Sequence, residues 1–252
     1  MNRTITLLKG LVSRFMAKQT PMGFIGRTGN IIHYKMGDSF FVRAAPRKFK
    51  QTKATKARAI EFGRAARIGR AIRVQLSPVI PGLPDRKMQA RLVAVIFQWL
   101  SGQHPRTDKS KAGLIDRFQF AETGHPVSDR WRVALRIKNP SAGLVEIYIP
   151  AFVPSASIVA PTGTVSVLCK IATGVCETGT GDELGRFSTE QVFEYNSESI
   201  ASQTISMKLP TPKESLIVTG VSLTYLIFKN GDTKYNTNKA YMPAGIVDAI
   251  YI

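Results

Sequence analysis

The sequence predicts an α+β chain: an N-terminal β-hairpin and basic helices, followed by an antiparallel β-sandwich. Three observations carry that expectation. Apolar residues recur at helical spacing between about Thr52 and Gln103, and at a spacing of two from about Leu114 onward. Two runs of five and six residues on either side of Met36-Gly37-Asp38 read as strands joined by a turn. Positive charge is concentrated in the part that precedes the change of period. These features suggest a basic hairpin-plus-helix region over residues 1–113 and a β-sandwich domain over 114–252.

Composition sets the bounds. The chain has 252 residues, 44% of them apolar, which suffices for a core in one large or two small domains. Its net charge is +18. Residues 1–76 carry 17 Lys/Arg against 2 Asp/Glu, whereas residues 139–252 carry 7 against 10. Asymmetry of this kind points to a polyanion, nucleic acid or an anionic membrane surface.

At the N-terminus Leu7, Leu8, Leu11, Val12 and Phe15 follow helical spacing over residues 4–17, with Lys9, Arg14 and Lys18 on the polar side. Two readings are open: a helix that packs on the rest of the protein, or one that lies on a membrane surface. Lys9 and Arg14 interrupt the apolar run, so it makes no convincing signal peptide. No stretch approaches the roughly 18 apolar residues of a membrane span. The expected location is the cytoplasm, or the inside of an assembly.

Gly23, Gly26 and Gly29 follow at intervals of three. They are not the dinucleotide fingerprint, which needs G-x-G-x-x-G between a strand and a helix. They read instead as turn or close-contact positions leading into a strand over Ile31 to Lys35. A turn at Met36-Gly37-Asp38 and a second strand, Ser39 to Ala44, complete the hairpin. Phe40, Val42 and Ala44 would share one face, and Phe41 and Arg43 the other.

The three glycines followed by Asn30, with Tyr34 four residues later, then Val42-Arg43, Pro46 and a basic run entering a helix, resemble the N-terminal signature of a family of uncharacterised proteins common in Bacteroidetes. The resemblance covers residues 22–75. It implies a fold and a bacterial origin, and no activity.

The helix after the hairpin is expected to start at Thr52 or Thr55, either of which can cap it, and to end near Leu76, before Pro78. Ile60, Ala65, Ile68 and Ile72 would form its apolar side. Arg64, Arg67, Arg70 and Arg73 recur every three residues. Each step falls about 60° short of a full turn, so the guanidinium groups fan across half the helix. Gly63 and Gly69 each cost about 1 kcal/mol relative to alanine, which suggests close packing against them, as by another helix. A second helix is expected over Arg86 to Gln103, apolar on more than one side and therefore buried. Residues 101–113 read as a polar loop.

Beyond it, Trp131 to Lys138, Val145 to Ile149, Val165 to Ile171 and Val221 to Ile227 alternate as strands do. Asn230-Gly231 is a strong hairpin signal. Strands at regular spacing between Gly, Pro and Asn turns imply the sandwich.

No pattern converges on catalysis, and no cofactor is expected. His33, His104 and His125 sit at no metal-binding spacing, and neither a G-x-S-x-G elbow nor a P-loop occurs. Cys169 and Cys176 read as small core residues, with a disulfide open in an oxidising compartment. Residues 179–183 form a polar loop that only loosely resembles a metal site. Asp182, Glu183, Glu190, Glu194 and Glu198 are the one acidic cluster, either a solvated face or a docking surface for a basic neighbour.

The strongest functional signal is basic: Arg43, Arg47, Lys48, Lys50, Lys53, Lys56 and Arg58, continued by Arg64, Arg67, Arg70 and Arg73. Cations in this density can neutralise successive phosphates and give salt-sensitive affinity. Phe41, Phe49 and Phe62 lie among them, as stacking residues or, more simply, as core anchors. The expectation is a non-enzymatic protein that binds nucleic acid or another polyanion. The alternative is a structural subunit of a larger assembly, such as a virion or cell-surface machine, in which the basic arm and the acidic cluster meet between copies.

Overall fold

The structure is a computed structural model that describes residues 18–20, 23–46, 50–80, 87–102, 112–121 and 124–252. The amphipathic segment 4–17, Arg47, Lys48, Phe49 and His104 lie outside the described residues. The chain divides into two units, Met1–Thr52 and Lys53–Ile252.

In the first unit, β1 (Lys18–Thr20), β2 (Gly23–Thr28), β3 (Ile31–Met36) and β4 (Ser39–Ala44) form an antiparallel meander in chain order. The glycine-spaced segment, expected only to lead into a strand, is itself β2. Gly26 has φ +124°, a backbone that glycine adopts without strain. The expected hairpin forms with a shorter loop than the sequence suggested. Met36 belongs to β3 and pairs with Ser39 across Gly37-Asp38, and Gly37 takes φ +63°. That register sets Tyr34 directly opposite Phe41. Every residue described over 23–46 is exposed or half-buried.

The second unit is layered. Helix α1 (Lys53–Gln75) and helix α2 (Met88–Leu100) cover one face of a five-stranded antiparallel sheet. This sheet holds β7 (Thr164–Glu177), β8 (Glu183–Glu194), β10 (Ser215–Lys229), β11 (Asp232–Tyr235) and β12 (Ala244–Tyr251). A three-stranded sheet of β5 (Arg136–Ser141), β6 (Leu144–Ile149) and β9 (Gln203–Lys208) covers the other face. Ile68, Ile72, Leu92 and Ile96 meet Ala172, Leu216 and Val218 in the helix-side core. Val145, Ile147, Ile149 and Met207 meet Ile171, Val221, Leu223 and Tyr225 in the core between the sheets. Covered on both sides, β10 is buried from Ser215 to Val221, and its sequence there is a nearly continuous apolar run. Residues 53–113 therefore share a unit with the sheets, and the change of period near Leu114 is a change of secondary structure inside it.

One local expectation is corrected. The alternation from Trp131 to Lys138 becomes a strand only at Arg136. Before that, Leu135 N–H donates to the Val133 carbonyl, a tight turn that breaks the extended backbone, and Trp131 packs on Phe152 and Phe193. Cys169 and Cys176 are free and buried, the small core residues that the sequence suggested. Seven positions apart on one strand, they point into opposite cores, which precludes a disulfide between them. Strands β8, β9 and β12 carry weak alternation and are recognised only in the fold. The Asn230-Gly231 hairpin forms as expected, with φ +55° and +81° at its two loop residues.

Side chains tie the two sheets together at both margins. Gln191 on β8 and Gln203 on β9 exchange hydrogen bonds of 2.8 and 3.2 Å. At the other margin Asp248 on β12 accepts from the Ile137 amide on β5 at 2.9 Å, capping a donor on that open edge.

Candidate functional site

Helix α1 positions most of the basic residues. It starts at Lys53 and ends at Gln75, as the capping threonine and Pro78 lead one to expect. Its buried stripe is Ala65, Ile68, Gly69, Ala71, Ile72 and Gln75. Residues 53–60 are all exposed, so the apolar side runs off the core at its N-terminal end. Ile60, expected on that side, is 73% exposed. Phe62 is 54% exposed and touches Phe97 edge-on, so it is no core anchor.

Gly69 is the close-packing glycine: a methyl group there would stand 3.1 Å from Val93 and 3.3 Å from Gln89 of α2. Gly63 is not, since its nearest neighbour is the Arg67 guanidinium at 4.0 Å. Gln75 ends the stripe inside the core. Its amide donates to the carbonyls of Val175 at 2.7 Å and Gly185 at 3.1 Å. Gly174 leaves the space: a Cβ there would lie 2.4 Å from the Gln75 side chain.

The arginine fan splits in two. Arg64 donates to the carbonyl and hydroxyl of Thr178, and Arg67 donates to the Thr180 carbonyl at 2.7 Å. Both carbonyls belong to the turn between β7 and β8, whose Gly181 has φ +81° and whose Cβ position is 2.6 Å from Arg67 Cβ. Thus the polar loop at 179–183 is a docking turn for α1. Arg70 and Arg73 face solvent and have no hydrogen bond or ion pair among the described residues. The same holds for Lys53 and Lys56 near the helix start. Arg58 pairs with Glu61 at 3.0 Å, donates to Ser101 at 3.0 Å and lies over the Phe97 ring.

Arg43 and Lys50 belong to the first unit, where both are exposed. Arg43 projects from β4 with its guanidinium 5.6 Å from the centre of the Tyr34 ring. Phe41, expected as a core anchor, is 38% exposed and stacks on Tyr34. The sequence signal for this pair was the position of the turn: a two-residue loop at Gly37-Asp38 pairs Tyr34 with Phe41, and a three-residue loop does not.

The acidic cluster maps to β8 and its flanks. Asp182, Glu183, Glu190, Glu194 and Glu198 are all exposed, and Glu190 pairs with Lys170 at 2.6 Å. An open groove of about 1190 Å³ lies between β12 and the segment leading into β5, where Asp116, Arg117, Arg136 and Asp248 contribute the charged lining. Asp248 is occupied there by the amides of Ile137 and Ala249. His33 stands in β3 beside Phe24, and His125 lies near Tyr241. Among the described residues no group of three or more His, Cys, Asp or Glu is arranged to hold a metal ion. No described helix is long and apolar enough to cross a membrane. Burial raises the thiols of both cysteines; that of Cys176 reaches about 12, with Glu183 adding to the effect.

No protein-family model matches the chain, and no curated protein matches it.

Proposed function

We propose that the chain is a non-enzymatic protein that binds nucleic acid or another polyanion through its basic segment, in the cytoplasm or within an assembly. The observation that carries this reading is the outward face of α1. Lys53, Lys56, Arg70 and Arg73 are exposed there and unpaired among the described residues. An ion-paired cation must break its pair to meet a phosphate, whereas a free one releases counterions directly. Arg43 and Lys50 add exposed charge in the first unit, and Arg47 and Lys48 extend the run in the sequence. Arg64 and Arg67 have a different role in this reading, since their guanidinium groups hold α1 to the β7–β8 turn.

The test is a salt series with labelled duplex DNA. Each neutralised phosphate contributes about 0.9 to the slope of log affinity against log salt. Replacing Lys53, Lys56, Arg70 and Arg73 by Gln should flatten that slope by about 3 to 4. An unchanged slope would sink the assignment to α1.

A second reading is favoured by a separate observation. Phe24, Ile25, Ile31, Met36 and Val42 of the first unit are exposed large apolar residues on one small sheet. Concentrated apolar surface marks interaction sites, which suits a structural subunit of a larger assembly. A defined oligomer that survives high salt and ignores nucleic acid would favour this reading over the first.

A further inference from the structure

We propose that single-stranded nucleic acid lies across one face of the four-stranded sheet, its bases stacking on Tyr34 and Phe41 and its phosphates on Arg27 and Arg43. The inference rests on the polyanion reading and names the form of the polyanion.

Register places these side chains together. Arg27 pairs with Ile32, and Ile32 pairs with Arg43, so the three form one row across β2, β3 and β4. Tyr34 and Phe41, two positions along their strands, form the next row on the same face. Their rings are 5.7 Å apart and inclined by only 25°. Tyr34 is 36% exposed and Phe41 38% exposed, although apolar rings gain most from burial. The Arg43 guanidinium over Tyr34 extends the array to cation, ring and ring. Stacked aromatic planes edged by cations suit a strand whose bases are unpaired, because every base offers a π-face and every linkage a negative charge. A duplex hides those faces inside its own stack.

The opposite face of the sheet lacks this combination. Phe24 and Phe40 lie there, but Lys35 sits over the Phe40 ring and pairs with Asp38 at 3.7 Å. On the proposed face Arg27 donates through Nε to the Gly29 carbonyl at 2.8 Å, which fixes its stem and leaves its terminal amino groups. Arg43 has no carboxylate partner among the described residues.

The experiment uses the full chain, labelled oligo-dT and oligo-U of equal length, the matching duplex, and heparin as a polyanion without bases. The informative variant is Tyr34→Leu/Phe41→Leu, which keeps apolar bulk on the strands and removes the rings. Each lost stack should weaken oligonucleotide binding by roughly tenfold or more, with heparin affinity within about twofold of the parent. Oligo-dT and oligo-U losing affinity together is expected for a stacking site, and Tyr34→Trp should retain binding. Unchanged oligonucleotide affinity in the leucine variant, with heparin still bound, would overturn the platform while leaving the polyanion reading intact. A leucine variant that changes the oligomeric state and not oligonucleotide affinity would also overturn it, in favour of a second copy of the chain on this face. Failure of the parent to bind either heparin or oligonucleotide at low salt would remove both.

Discussion

The four-stranded sheet of the first unit and the five-stranded sheet of the second use similar apolar residues in different surroundings. In the second unit, β10 is buried from Ser215 to Val221 because helices cover one face of its sheet and β5, β6 and β9 cover the other. In the first unit Phe24, Ile31, Met36 and Val42 are as apolar, yet each remains at least 45% exposed. Arg27, Lys35 and Arg43 are set among them. Apolar composition alone does not decide burial. A covering layer does.

The comparison is broken most directly by paired truncations. Ile171→Ala, in the core between the two sheets, should cost about 2–5 kcal/mol in urea unfolding. Ile31→Ala in the first unit should cost less than about 1 kcal/mol. Equal costs would mean that the first sheet is buried in solution. The docking turn is next. Gly181→Ala places a Cβ at φ +81° and against the Arg67 backbone, and should cost about 1–3 kcal/mol. If the turn does not hold α1, that variant should lose no more than the roughly 1 kcal/mol that a Cβ at positive φ costs by itself.

A pH series sharpens the contrast further. Burial raises the Cys176 thiol from 9.0 to about 12 and moves Cys169 in the same direction. The neutral thiols are favoured in the fold, so their contribution is complete below pH 9.0 and is lost as pH rises toward the folded values. Unfolding midpoints should fall less steeply between pH 9 and 11 for Cys169→Ala/Cys176→Ala than for the parent. Native protein should react with a thiol reagent only on unfolding. The smallest effect belongs to the helix glycines. Gly63→Ala should stabilise by about 0.5–1 kcal/mol. Gly69→Ala should gain nothing net, because its methyl meets Val93 and Gln89.

Much of the architecture was legible locally. Thr52 before Lys53 and Pro78 after Gln75 bracket α1 to within a few residues, because caps and breakers act on neighbouring backbone. Asn230-Gly231 announced its hairpin because the loop itself requires positive φ at both positions. The Trp131–Lys138 alternation misled for the converse reason. Period reports which side chains face one way, and a tight turn at Val133–Leu135 can interrupt the strand without disturbing it.

By itself the sequence determined the charge asymmetry, the helix that carries it, the change to strand periodicity and the β-rich remainder. All of these depend on residues a few positions apart. Only the tertiary structure decided which cations are free. Arg64 and Thr178 are 114 residues apart in the chain, and nothing near Arg64 distinguishes it from Arg70. The notch at Gly174 for Gln75 and the opposite cores that separate Cys169 from Cys176 have the same origin. The exposure of Tyr34 and Phe41 does too, since solvent access depends on what covers a face. A side chain's periodicity is written in its own segment, whereas its partner is supplied by whichever distant segment the packed fold brings against it.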